Sequence, residues 1–227
     1  MKITSVIIGY LLMGSVCFAQ TYELKGNIVG LKSDSLLILK IKGALFEGAK
    51  IKVVNGIFNY TDQIGEPYLI QLFKLTSTDK TDGKLAELLV EPALITIEAK
   101  SDSFEEVRIK GSKSDAILKN YLEEDRQIVN KWERLKIDYD KYVVQNDTLN
   151  KKKVGILLNQ ILFGERIPLL KKYVKANHHN IIGALLPNFC TLKDVLKKED
   201  YLEMYHMLTN DMKNSDYAKS TLNRTKS

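Results

Sequence analysis

Cysteine is almost missing from this chain: 2 residues in 227, and no C-x-x-C pair. That excludes a disulfide framework, a thiolate zinc site and a dithiol redox motif. Histidine is equally scarce, at 3. His178 and His179 are adjacent in the loop NHHN, where neighbouring rings point apart, whereas a zinc-binding helix needs an i, i+4 pair. Proline numbers 4 and tryptophan 1, so polyproline and collagen-like classes are out. No apolar run after residue 20 reaches the roughly 18 residues that a bilayer span requires. There is no glycine-rich phosphate loop and no G-x-S-x-G elbow; Gly26, Gly30, Gly43 and Gly48 read as turn positions.

What remains is an ordinary globular composition, 44% hydrophobic and 27% charged, in a length that fits one large domain or two small ones. The amino terminus is the exception. Met1-Lys2 is followed by the apolar run ITSVIIGYLLMGSVCFA, with Cys17 and Ala19 two positions apart as at an A-x-A-like cleavage site. Residues 1–19 are therefore expected to be a signal peptide, and the chain to be exported to the periplasm or cell envelope. Acylation at Cys17 is the alternative, disfavoured by the branched Val16 before it. Removal of residues 1–19 leaves Cys190 as the one thiol, in the apolar setting LLPNFCTL that fits a buried, inert cysteine.

From residue 20 to 111 the hydrophobic period is two. Tyr22, Leu24, Gly26 and Ile28 alternate, LLIL follows, and AKIKVVNGIFNY holds two alternating stretches joined by Asn55-Gly56, the strongest short hairpin signal. PYLIQLFKL, AELLVEP, LITIEAK and EEVRIKG complete about eight short strands, which predict an antiparallel β sandwich or open barrel. From 112 to 227 the period becomes helical. Ile117, Leu118, Tyr121, Leu122, Ile128, Val129, Trp132 and Leu135 form one stripe, with Ser112 as the N-cap. Pro168 should kink or divide the second helix, Asn180 caps a third, Thr191 opens a fourth, and Ser215 caps the last. The fold class is thus α+β, with an antiparallel β domain before an all-helical domain. Trp132 is expected to face the helical core.

Charge is lopsided. Residues 112–227 carry 21 basic and 15 acidic side chains, while 20–111 are near neutral. Those lysines alternate with acids at helical spacing, as on a solvated face, and no arginine–aromatic stripe accompanies them, so nucleic acid is not an expected partner. Glu123-Glu124-Asp125 diverge around a helix and do not form an acid/base pair. Tyr22, Tyr60, Tyr68 and Trp132 are the aromatic candidates for holding a ligand. His206 reads as a core-edge residue. The sequons at Asn59, Asn146 and Asn223 matter only where glycosylation operates.

Read together, Gly26-Asn27-Ile28-Val29-Gly30, Asn55-Gly56-Ile57-Phe58, Pro67, Glu91-Pro92 and Gly111-Ser112 resemble the N-terminal accessory β domain (the domain of unknown function 4369 family) of exported bacterial thioredoxin-like thiol–disulfide oxidoreductases. The stretch through YVKANHHNIIGALL is similar to the helical linker of those proteins, with His178 where proline is usual. The W-C-x-x-C catalytic part of that family has no counterpart here. The resemblance implies a non-catalytic accessory or interaction module, whose partner is a thioredoxin-like oxidoreductase or a second copy. The alternative is a ligand-binding protein that takes a glycan, lipid or peptide on the sheet face or at the sheet–helix junction. No catalytic, cofactor-binding or metal-ligating residue is assigned, and no cofactor is expected. In this reading Phe58 and Phe73 fill the β core.

Overall fold

A computed structural model describes residues 20–226 apart from 43, 44, 77 and 79. The expected signal peptide and Cys17 lie outside the described residues. The first part holds β1 (Gln20–Ile28), β2 (Ser35–Lys42), β3 (Leu45–Lys52), β4 (Ile57–Ile64), β5 (Tyr68–Leu75), β6 (Thr81–Val90), β7 (Leu94–Ala99) and β8 (Arg108–Lys110). They form two four-stranded sheets, ordered β4-β1-β7-β8 and β3-β2-β5-β6. Alternation decides the inner faces. Tyr22, Leu24 and Ile28 of β1 are fully buried while Lys25 and Asn27 are exposed, and Leu36, Ile38, Ile70, Leu72, Leu88, Ile95 and Ile97 close the same core.

Two features depart from a simple antiparallel meander. β1 pairs with β7 in parallel, Glu23 opposite Leu94 through Ile28 opposite Ala99. The chain leaves β1 for the other sheet, returns at β4 on one side of β1, crosses again through β5 and β6 and reaches the other side of β1 at β7, and such a long crossover is what a parallel neighbour requires. The Asn55-Gly56 turn is where the sequence puts it, with φ of 53° and 78° and a Val54–Ile57 bridge. The strands on either side of it, however, belong to different sheets. The turn is a corner of the sandwich, not the end of a two-stranded ladder.

Gly26 is not a turn residue. It lies in mid-strand opposite Phe58, and a Cβ there would sit 2.0 Å from the Phe58 ring. The ring, 2% exposed, occupies the space that a side chain would take. Phe58 fills the core as expected, whereas Phe73 is only half-buried and belongs to neither core cluster.

The helical part contains α1 (Lys113–Val144), α2 (Thr148–Ile161), a π turn over Leu162–Arg166, α3 (Ile167–Ala176), α4 (Ile181–Phe189), α5 (Lys198–Met207), α6 (Asn210–Lys213) and α7 (Asp216–Asn223). Ser112, Asn180 and Ser215 cap α1, α4 and α7 by accepting from Asp115, Ile182 and Ala218 backbone N–H. The π turn, helical at both ends, runs straight into α3, whose second residue is Pro168, so the helix is widened by a π turn rather than broken where proline lacks its N–H. Thr191 does not open a helix: residues 191–195 are turns, and α5 begins at Lys198.

Two contacts lock α1 to the sheets. Asp115 accepts from the Leu89 N–H on β6, an edge strand, at 3.0 Å. The Glu91 carboxylate accepts from Lys113 N–H, Ser114 N–H and the Ser114 hydroxyl, an anion placed at the helix N-terminus. Behind them, the opposed pair Leu69 and Leu89 turns to the reverse face of its sheet and joins the helical core around Tyr121, Leu170, Leu185 and Met204. Among the described residues no helix is long and apolar enough to cross a membrane.

Candidate functional site

The aromatic candidates separate. Tyr22, Tyr60 and Tyr68 meet at one end of the sandwich, with Tyr22 centred 6.2 Å from Tyr60 and 6.1 Å from Tyr68. β1, β4 and β5 bring them there because residues alternating inward on facing strands converge. Tyr68 Oη donates to Tyr22 Oη at 3.1 Å, and Tyr60 Oη donates to Asp62. Asp62 on β4 is also paired with Lys40 on β2, so this ion pair bridges the two sheets. Burial pushes the Tyr22 phenol far up and holds it neutral. Burial works against the charges of Lys40 and Asp62. Their mutual bond outweighs it, holding the lysine above and the carboxyl below its ordinary value. The cluster is a cross-brace: its hydroxyls and charges satisfy one another, and Tyr22 is closed to solvent.

Trp132 does not join them, nor does it face the helical core. It is part-exposed on the second half of α1 and belongs to neither core cluster. Of this stretch Ile128 still packs against the helical core, whereas Val129, Trp132 and Leu135 lie outside both core clusters.

Beyond Tyr68 the sheet–helix junction opens into a cavity of about 840 Å³ between the β4–β5 turn and the ends of α4 and α7. Its floor is Tyr68, Phe189 and Tyr217, the last two edge-to-face at 6.1 Å, and Lys42 and Arg224 stand among its lining residues. Lys42 Nζ lies 4.9 Å from the centre of the Tyr68 ring. Burial, with help from Glu66 and Asp216, pushes the Tyr217 phenol up to about 12. Asn188 fixes the wall: its amide donates to Tyr217 O and Thr221 Oγ1, tying α4 to α7. Such a site suits a ring or short chain with an anionic end. Phe189 and Tyr217 escaped the sequence reading because each is an ordinary stripe residue on its own helix.

The remaining candidates are occupied structurally. Cys190 is 2% exposed and donates to Pro187 O, and burial raises its thiol above the usual range. His178 and His179 are exposed, rings 5.2 Å apart, with His178 Nδ1 on Lys175 O. His206 is exposed rather than at a core edge. Among the described residues no group of three His, Cys, Asp or Glu side chains could hold a metal. Glu123, Glu124 and Asp125 diverge: Glu123 pairs with Arg126, Glu124 accepts from Tyr173, and Asp125 takes a bidentate bond from Arg166 at 2.8 and 2.7 Å.

Residues 22–118 match the sequence profile of a domain of unknown function (DUF4369). No curated protein matches the chain. The matched segment starts in β1 and passes β8 into the first turns of α1, so it takes in Glu91, Ser112 and Asp115, the residues that lock helix to sheet.

Proposed function

We propose, on the premise that residues 22–118 form a domain of this unassigned kind, that the chain is a non-catalytic accessory module. It would work outside the cytoplasm after loss of residues 1–19 and support a thioredoxin-like thiol–disulfide protein. The observation that carries this reading is what the pattern residues do. Gly26 admits the Phe58 ring, Asn55-Gly56 turns the corner between sheets, and Glu91 and Ser112 cap α1. Each builds one rigid β-plus-helix body and none points a reactive group at solvent. The test has two arms. The purified protein should not reduce insulin disulfides, and the tagged chain recovered from its host's envelope should bring with it a protein carrying W-C-x-x-C. Insulin reduction that vanishes with Cys190→Ser would overturn the proposal. Intact mass from the native host should give a chain starting at or near Gln20; retention of residues 1–19 contradicts the export part.

The junction cavity favours a second reading, a site for a small anionic ligand. Amide NMR shifts confined to residues 65–68, 188–189 and 217–224 on adding aromatic carboxylates or acidic sugars would support it. Unchanged spectra across both classes would remove it.

A further inference from the structure

α2 is apolar on two opposite sides. Leu158 and Ile161 are buried and Gly155 approaches the Tyr139 ring, which marks the side against α1. Half a turn away Leu149 and Ile156 are 65% and 59% exposed, seven residues apart, and Phe163 continues the row at 47%. Lys152 and Lys153 fall between Leu149 and Ile156. Among the described residues neither is within salt-bridge distance of a carboxylate, the nearest influence being Asp147 at the N-cap on Lys153, and α2 itself contains no acidic residue. The hairpin tip beside this row exposes Val144 at 82%.

We propose that this outer edge of α2 docks onto an anionic lipid surface, with Leu149, Ile156 and Phe163 entering the interface and Lys152 and Lys153 meeting headgroups. Charge disfavours a second copy, because pairing α2 with α2 sets lysine-bearing edges together with no carboxylate within α2 to receive them. Shape favours lipid over an acidic protein: the row is the convex rim of a two-helix hairpin, and a fluid interface conforms to a convex rim without a preformed groove. Lysine stems between apolar residues lie along that interface while their ammonium ends reach phosphate. The inference does not depend on the accessory reading.

The experiment is flotation of the protein, with its natural amino terminus, on vesicles of pure phosphatidylglycerol and of pure phosphatidylcholine. Binding is expected to the first only. It should fall roughly 25-fold in Lys152→Gln/Lys153→Gln, from about a factor of five per lysine. Charge-neutral Leu149→Ser/Ile156→Ser should lose it as well, and these exposed sites leave the fold and its circular dichroism intact. Equal binding to both lipids, binding to neither, or binding that ignores the variants would overturn the proposal. A dimer in sedimentation velocity that Leu149→Ser/Ile156→Ser dissolves would overturn it in favour of a second copy.

Discussion

Two residue contacts carry more than their share of the fold. Arg166 and Asp125, with side chains 11% and 6% exposed, form a bidentate pair that also engages Thr191. It ties α1 to the π turn and to the segment before α5. Asp125→Ala leaves a guanidinium buried without its carboxylate and should cost about 3–5 kcal/mol in urea unfolding. The double variant with Arg166→Met should recover much of that loss, since an unpaired charge costs more than an absent pair. A cost below about 1 kcal/mol would mean water reaches the site. Gly26→Ala drives a methyl into the Phe58 ring, and overpacking of this kind costs about 1–3 kcal/mol or more. Pairing it with Phe58→Leu should be clearly non-additive, whereas additivity would separate the two sites. Trp132 follows from the same reasoning in the other direction. Part-exposed and outside both core clusters, its truncation should cost well under the roughly 3–5 kcal/mol of a buried aromatic, and acrylamide should quench its fluorescence in the native state.

At the scale of elements the sensitive place is the entry of α1. Glu91→Ala removes the acceptor of two backbone N–H groups and one hydroxyl, an expected loss of about 1–2 kcal/mol. The acid response has two opposing parts. Asp62 and Asp200 are held below the ordinary carboxyl value because their lysine partners, with backbone N–H groups, outweigh burial. Their contribution is present at neutral pH and lost as pH falls through the usual carboxylate range and below. Asp115 is raised, chiefly by burial, with Lys119 and the Leu89 N–H opposing. Its protonated form is the one the fold favours, so its contribution grows as pH falls. Asp62→Asn should therefore flatten the acid limb of stability against pH, and Asp115→Asn should steepen it. Midpoints of urea unfolding at stepped pH read both. The same slope in the two variants would show that neither pair sets it.

At the scale of the whole molecule the described residues form two apolar clusters, one between the sheets and one among the helices. Leu69 and Leu89, 6% and 0% exposed, are strand residues that belong to the helical one. On the reverse face of their sheet Leu37, Leu39, Gln71, Phe73 and Glu87 are part-exposed, and the face closes only at the end where the helices sit. Residues 20–111 made without the helices would expose that leucine pair and leave the Leu89 N–H without Asp115. That fragment should unfold at a lower urea midpoint than the β part of the intact chain, followed by tyrosine signals. A fragment as stable as the whole would show that the two clusters are independent.

Local chemistry was legible in the sequence wherever one stretch of chain decides it by itself. The switch of period near Gly111-Ser112, the caps Ser112, Asn180 and Ser215, the paired positive φ at Asn55-Gly56 and the distortion before Pro168 all depend on neighbours a few residues away. The burial of Cys190 followed from its own apolar context. What hydrophobic period does not contain is the identity of the covering partner. It showed alternating strands around Asn55-Gly56 but not that they lie in separate sheets, and it placed Trp132 on a stripe without showing that this part of the stripe lies outside the helical core. The parallel pairing of β1 with β7, the Asp125–Arg166 bond across 41 positions and the meeting of Tyr68, Phe189 and Tyr217 at the junction cavity were likewise settled by tertiary packing. In each case the deciding contact joins residues whose separation along the chain carries no periodic trace.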